Sequence, residues 1–195
     1  MELKNSKTVK NLMSSFVGES GVYQRYSYYA KRAKDDGFKY IEDVFNETAM
    51  NELYHAKRFM MLINKELPGE KILVDSADYP VFLGTTLENL HSAALGEFEE
   101  AKEIYPTFAN TAREEGFKDI ANYFELIAKV EEFHHARFDK LAKEVERGYF
   151  KREGECSFVC LKCGHTHKGN TAPKVCPICS HEQAYFKPVC NSFNQ

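Results

Sequence analysis

The sequence predicts an all-α domain of four long helices, built from two copies of one helical hairpin and followed by a small cysteine-rich domain. Three observations predict it. Segments 30–59 and 109–138 align without gaps and are identical at twelve of thirty positions, among them Gly37/Gly116, Phe38/Phe117, Glu52/Glu131 and His55/His134. That is the mark of an internal duplication. A glutamate followed by Glu-x-x-His occurs in both halves, as Glu19 with Glu52 and His55, and as Glu97 with Glu131 and His134. After Arg147-Gly148 the composition turns abruptly to cysteine, glycine and proline.

The elements follow in order. Apolar residues at helical spacing, with abundant Ala, Glu and Lys, predict helices over 6–35, 38–65, 85–114 and 117–147. Gly37 and Gly116 each close a helix and turn the chain back, so helices pair as two antiparallel hairpins. The stretch from Glu66 to Gly84, with Pro68, Gly69 and Pro80, is a long connection between the hairpins. Two hairpins related by a pseudo-two-fold axis with one long crossover define a ferritin-like bundle rather than an up-down bundle, which has short loops.

Within a bundle, i and i+3 share a helix face, so each Glu-x-x-His aims a carboxylate and an imidazole at one point. Glu19 precedes Gly37 by 18 residues and Glu52 follows it by 15, which sets both at similar heights at ~1.5 Å rise per residue. Glu97 and Glu131 repeat this around Gly116, at 19 and 15 residues. Four carboxylates and two imidazoles exceed the needs of one zinc ion and suit a carboxylate-bridged pair of iron or manganese ions. Tyr26 and Tyr105 follow the first glutamates by seven and eight residues, two turns on, where a phenol can donate to a ligating carboxylate. The extra residue in the third helix would rotate Glu97 off the ligand face by about 100° in a regular helix. A one-residue π-bulge between Glu97 and Ala109 absorbs it.

In the tail, Cys160-Leu161-Lys162-Cys163 and Cys176-Pro177-Ile178-Cys179 form two knuckles that close a tetrahedral four-thiolate site. About 40 residues bury too little apolar surface to fold unaided, so a metal is the expected staple. The spacing fits zinc or iron equally. Cys156 and Cys190 lie outside this pattern and are read as free thiols. The domains expected are a bundle over 1–148, a linker over 149–156 and a cysteine domain over 157–195.

Composition restricts the function classes. With 195 residues, 43% hydrophobic and 28% charged, and a net charge of −3, the chain is ordinary globular protein without the basic footprint of a nucleic-acid or membrane-surface binder. The first ten residues lack an apolar leader core and no run approaches 18 apolar residues, so a cytoplasmic location is expected. No Gly-x-Gly-x-x-Gly is present for a nucleotide cofactor.

Together, Gly-Glu-Ser at 18–20, Asn-Glu-Leu-Tyr-His-Ala-Lys-Arg at 51–58, Gly-Glu-Phe-Glu-Glu at 96–100, Tyr-Pro-x-Phe at 105–108, Glu-Glu-Phe-His at 131–134, Cys-Gly at 163–164 and Cys-Pro-x-Cys at 176–179 make the whole chain resemble the rubrerythrins. These join a ferritin-like di-iron bundle to a C-terminal rubredoxin-like domain. The resemblance implies that Glu19, Glu52, His55, Glu97, Glu100, Glu131 and His134 are the di-iron ligands. It implies that Cys160, Cys163, Cys176 and Cys179 bind one redox-active iron rather than zinc. It also implies that one iron exchanges His55 for Glu100 on oxidation, consistent with a neutral imidazole suiting ferrous and a carboxylate suiting ferric iron.

The implied activity is reduction of hydrogen peroxide to water, with electrons from NADH or NADPH delivered by a separate reductase or rubredoxin. Glu52, His55, Glu97, Glu100, Glu131, Tyr26 and Tyr105 would form the catalytic site. The run of helix from His134 to Arg147 alone spans ~20 Å, so a head-to-tail homodimer is expected, the tail iron of one subunit serving the di-iron site of the other. The competing class is an iron-oxidising or iron-storing ferritin-like protein with a structural zinc-ribbon tail.

Overall fold

The computed structural model describes residues 2–74 and 78–190. Four long helical runs form the bundle, within one residue of the expected bounds. They are α1 (Lys7–Asp35), α2 (Lys39–Glu66), α3 (Thr86–Glu99) continuing through a five-residue π-segment into α4 (Tyr105–Glu114), and α5 (Lys118–Glu146). The π-segment, Glu100–Ile104, falls inside the stretch where the extra residue of the second half must be absorbed.

Both hairpin turns are built alike. Gly37 (φ 82°) and Gly116 (φ 90°) take the left-handed conformation that closes a Schellman motif. The amides of Phe38 and Phe117 donate to Ala33 O and Ala112 O, each at 2.8 Å. The acidic residue before each glycine caps the opposite hairpin. Asp36 accepts from the amide and hydroxyl of Thr86 at 3.1 and 2.7 Å, at the start of α3. Glu115 accepts from the amides of Lys7 and Thr8, both at 2.8 Å, at the start of α1. A carboxylate at a helix N-terminus meets unpaired amides and the positive end of the dipole.

The core repeats the same two-fold arrangement. Tyr26 packs with Phe45 (5.7 Å between centroids) and Phe138 (5.2 Å) at one end. Tyr105 packs with Phe124 (5.9 Å) and Phe59 (5.8 Å) at the other. Phe45 and Phe124 are duplicated partners, as are Phe59 and Phe138, so each half contributes one phenylalanine to each cluster. The layer between the two clusters holds the carboxylates. The crossover runs back over α1, where the Tyr79 hydroxyl donates to Ser14 O at 3.2 Å and the Tyr29 hydroxyl to Phe82 O at 3.0 Å.

The tail is a three-stranded antiparallel sheet in the order β2-β1-β3, with β1 Lys151–Cys160, β2 Thr166–Thr171 and β3 Phe186–Pro188. The stretch 149–156, expected as a linker, is structured. Tyr149 and Phe150 pack against Phe38 at 5.3 and 5.7 Å, and β1 begins at Lys151. Composition does not mark it because its aromatic residues pack against the bundle end, a contact distant in sequence. Lys187 Nζ sits 4.6 Å over the Tyr40 ring, which fixes the tail at the α1–α2 turn.

Cys156 and Cys190 are joined in a disulfide, which corrects the reading of both as free thiols. The pairing of β3 with β1 brings them together across 34 residues, and sequence spacing carries no sign of that register.

Candidate metal centres

Glu19, Glu52, Glu97 and Glu131 are all at most 1% exposed, within α1 and α2, in the last turn of α3 and within α5. Four carboxylates in one dry layer repel each other and lose hydration, so without cations they would be costly. The geometry resolves into two sets of four ligand atoms. One comprises Glu19, Glu52, His55 and Glu131; the other comprises Glu52, Glu97, Glu131 and His134. Glu52 and Glu131 belong to both. His55 Nδ1 lies 2.7 Å from Glu52 and 3.2 Å from Glu131. His134 Nδ1 lies 2.8 Å from Glu131 and 3.0 Å from Glu52.

The residues fit a metal pair. Oxygens of Glu19, Glu52, Glu97 and Glu131, with His134 Nδ1, are buried without a hydrogen-bond partner, although they converge within a few ångströms. Buried polar atoms are nearly always satisfied, and a pair of cations satisfies these. Protons take that place when no cation is bound. Burial and the charges of Glu52, Glu100 and Glu131 push Glu19 well above the usual carboxylate range. Burial and Glu52 push Glu97 up to about 8.

The two tyrosines act across the halves. The Tyr26 hydroxyl donates to Glu97 Oε1 at 2.5 Å, and the Tyr105 hydroxyl donates to Glu19. Sequence spacing places each tyrosine two turns from the glutamate of its own half; only the bundle shows that it serves the other half.

Glu100 opens the π-segment and lies outside both four-atom sets. Burial, then Glu97, Glu131 and Glu52, raise its pKa well above the usual range, and Arg25 pulls the other way. Glu100, Tyr26 and Tyr105 line a groove of about 690 Å³ between α1 and α3/α4, roofed by Val74 and Asp78 to Pro80 of the crossover. Arg25 and Tyr79 of this groove were not singled out from the sequence, where neither belongs to a repeated pattern.

In the tail, the knuckles repeat one hydrogen-bond pattern. Gly164 N donates to Cys160 O and Ser180 N to Cys176 O, both at 2.9 Å. The Sγ atoms of Cys160 and Cys179 are 3.7 Å apart and those of Cys163 and Cys176 are 3.6 Å apart. A tetrahedron with metal–sulfur bonds of ~2.3 Å has edges of ~3.8 Å, so the four thiols are set for one ion.

Fold and sites together define a ferritin-like bundle with a di-iron carboxylate site, joined to a rubredoxin-like four-cysteine domain. Comparison with known proteins agrees. The family model for rubrerythrin matches residues 10–142, and that for the rubrerythrin rubredoxin-like domain matches 158–187. The chain is 45% identical to rubrerythrin-1 of Clostridium acetobutylicum, covering 98% of each chain. It is 42% identical to the rubrerythrin of Nitratidesulfovibrio vulgaris, covering 95% of each. A solved structure of nigerythrin in a mixed-valence state superposes with a TM-score of 0.64 at 28% identity, over 94% of this chain and 90% of that one. A bacterioferritin from Desulfovibrio desulfuricans, 22% identical with a TM-score of 0.64 over 73% of this chain and 81% of that one, shares the bundle fold. The chain belongs to the rubrerythrin family.

Proposed function

We propose that the chain is a peroxidase reducing hydrogen peroxide to water. The observation that carries this reading is the pair of four-ligand sets sharing Glu52 and Glu131, on the same chain as a four-thiolate site. Two ferrous ions, when bound, supply the two electrons that a peroxide needs, and the one-electron tail iron restores them. Glu52 and Glu131 would hold both ions, Glu19 with His55 and Glu97 with His134 would complete each side, and Tyr26 and Tyr105 fix the outer carboxylates. Glu100 stands at the groove through which a small substrate arrives. Its position beside the sets, with His55 inside one of them, supports the exchange of these two ligands between oxidation states.

Electrons come from NADH or NADPH through a separate reductase or rubredoxin in the cytoplasm. The site works in a head-to-tail homodimer. Tyr40, where the tail docks, is twelve residues from Glu52 along α2, or ~18 Å. Exposed Met50, Leu53 and Tyr54 lie beside His55 on α2, exposed Phe133 lies beside His134 on α5, and exposed Val175 and Ile178 adjoin the tail thiolates in sequence. These surfaces suit one another across two copies. Iron storage is the weaker reading, because storage has no use for an electron relay.

Cys179→Ser tests the relay. The variant should oxidise its prereduced iron pair with peroxide in a single turnover, yet lose steady-state turnover with a reductase system. Normal steady-state turnover would remove the tail from the mechanism.

A further inference from the structure

The Cys156–Cys190 disulfide is used by neither metal site. We propose that this pair is a peroxide-oxidisable dithiol, a third redox site that peroxide closes and a thiol reductant opens.

Its place in the fold separates it from a sealed structural clamp. A cavity of about 540 Å³ at the end of α5 is lined by both cysteines, with Glu144, Arg147, Arg152 and Glu155. A thiol or a peroxide can therefore reach the sulfurs from solvent. Arg152, whose side chain is only 10% exposed, is ion-paired to Glu144 through its terminal nitrogen and leaves Nε without a hydrogen-bond partner in the cavity wall.

The tail does not need the bond to keep its shape. β1 pairs with both β2 and β3, four cysteines close on one ion, and Val189 N donates to Ser157 O at 2.7 Å. Opening the bond leaves these in place. The site is also linked to the relay. Cys156, Phe158 and Cys160 are buried on one face of β1, so Cys156 lies ~13 Å along the strand from the first thiolate ligand.

The chemistry balances. Cys190 is half-buried and Cys156 is 4% exposed, so Cys190 is the attacking thiol. Its thiolate forms an S–O bond as the peroxide O–O bond breaks, and the departing hydroxide takes a proton to become water. The sulfenic acid then meets the Cys156 thiol; an S–S bond forms, the S–O bond breaks and a second water leaves. Two thiols are oxidised for each peroxide reduced. An external thiol reverses the bond by exchange through the cavity.

The test uses the full-length iron-loaded protein. Anaerobic dithiothreitol, followed by alkylation and peptide mass spectrometry, should label Cys156 and Cys190, with iron content unchanged after desalting. Hydrogen peroxide should then abolish both labels. In Cys156→Ser, dimedone should trap a sulfenic acid on Cys190, whereas Cys190→Ser should give no adduct on Cys156. Opening only after denaturation or iron loss would make the bond a permanent clamp. Thiols that appear but do not close with peroxide would equally overturn the proposal. The readout is thiol modification, so it stands or falls apart from turnover at the iron pair.

Discussion

The two hairpins of the bundle carry one ligand pattern, yet beside it they differ by one inserted residue and one carboxyl. In the first half, Glu19 is followed at i+3 by Val22, and α1 runs to Gly37 as regular helix. In the second, Glu97 is followed at i+3 by Glu100, and five residues of π-helix intervene before Tyr105. The π-segment returns Tyr105 to the register of Tyr26, so the reciprocal hydrogen bonds to Glu19 and Glu97 survive the insertion. The lesson is that the symmetric parts hold the metals, whereas the asymmetric part adds a carboxyl at the groove. A local loosening of the helix ladder is a recurrent device at functional sites.

The symmetric parts predict the largest effect. Glu52→Ala and Glu131→Ala should each abolish assembly of the iron pair and reduce peroxide turnover to background, to the same extent, as judged by iron stoichiometry and stopped-flow absorbance. Survival of the pair in one variant but not the other would break the equivalence of the halves. Next comes the asymmetric carboxyl. Glu100→Val, which gives the second half the residue of the first, should load both irons normally while lowering turnover by ~10–100-fold, the range seen when groups beside metal ligands are removed. Unchanged turnover would leave the π-segment without a catalytic role.

The two histidines sharpen the comparison further. In the metal-free chain, burial disfavours charge on both, but the carboxylates of Glu131 and Glu52 close beside them raise His55 to about 9 and His134 to about 12. A group with a raised folded pKa stabilises fully below its unfolded value of about 6.5, and that stability is lost as pH rises through the folded value. The metal-free protein should therefore lose about 2–3 kcal/mol between pH ~6.5 and 9 as His55 sheds its proton. The iron-loaded protein, whose imidazoles are already neutral, should not. Calorimetric melting of both forms across that window measures the difference; equal slopes would refute it.

The smallest effect compares the two knuckles of the tail. Gly164 (φ 73°) and Ser180 (φ 61°) occupy the same left-handed position, which costs a residue with a side chain about 1–2 kcal/mol. Glycine at 180 would recover part of this, offset by about 0.5–1 kcal/mol of chain entropy. Ser180→Gly should thus strengthen the tail by a few tenths of a kcal/mol to ~1 kcal/mol. Denaturant loss of the four-thiolate absorbance would register it, and a weaker tail would show that the Ser180 side chain matters.

Much of this molecule is written in periodic and repeated residues. The duplicated Gly-Phe-Lys set both turns, helical spacing gave each long helix to within a residue, and Glu-x-x-His placed four ligands on facing helices. The insertion between Glu97 and Gly116 even required a π-segment, because a rigid helix cannot absorb one residue without rotating its face. These are local features, determined by the chain's own geometry. What only the tertiary structure decided involves pairs distant in sequence: Tyr26 with Glu97, Asp36 with Thr86, Tyr149 and Phe150 with Phe38, and Cys156 with Cys190. Each depends on how two elements are registered against one another, and side-chain spacing along a single strand or helix carries no record of that register.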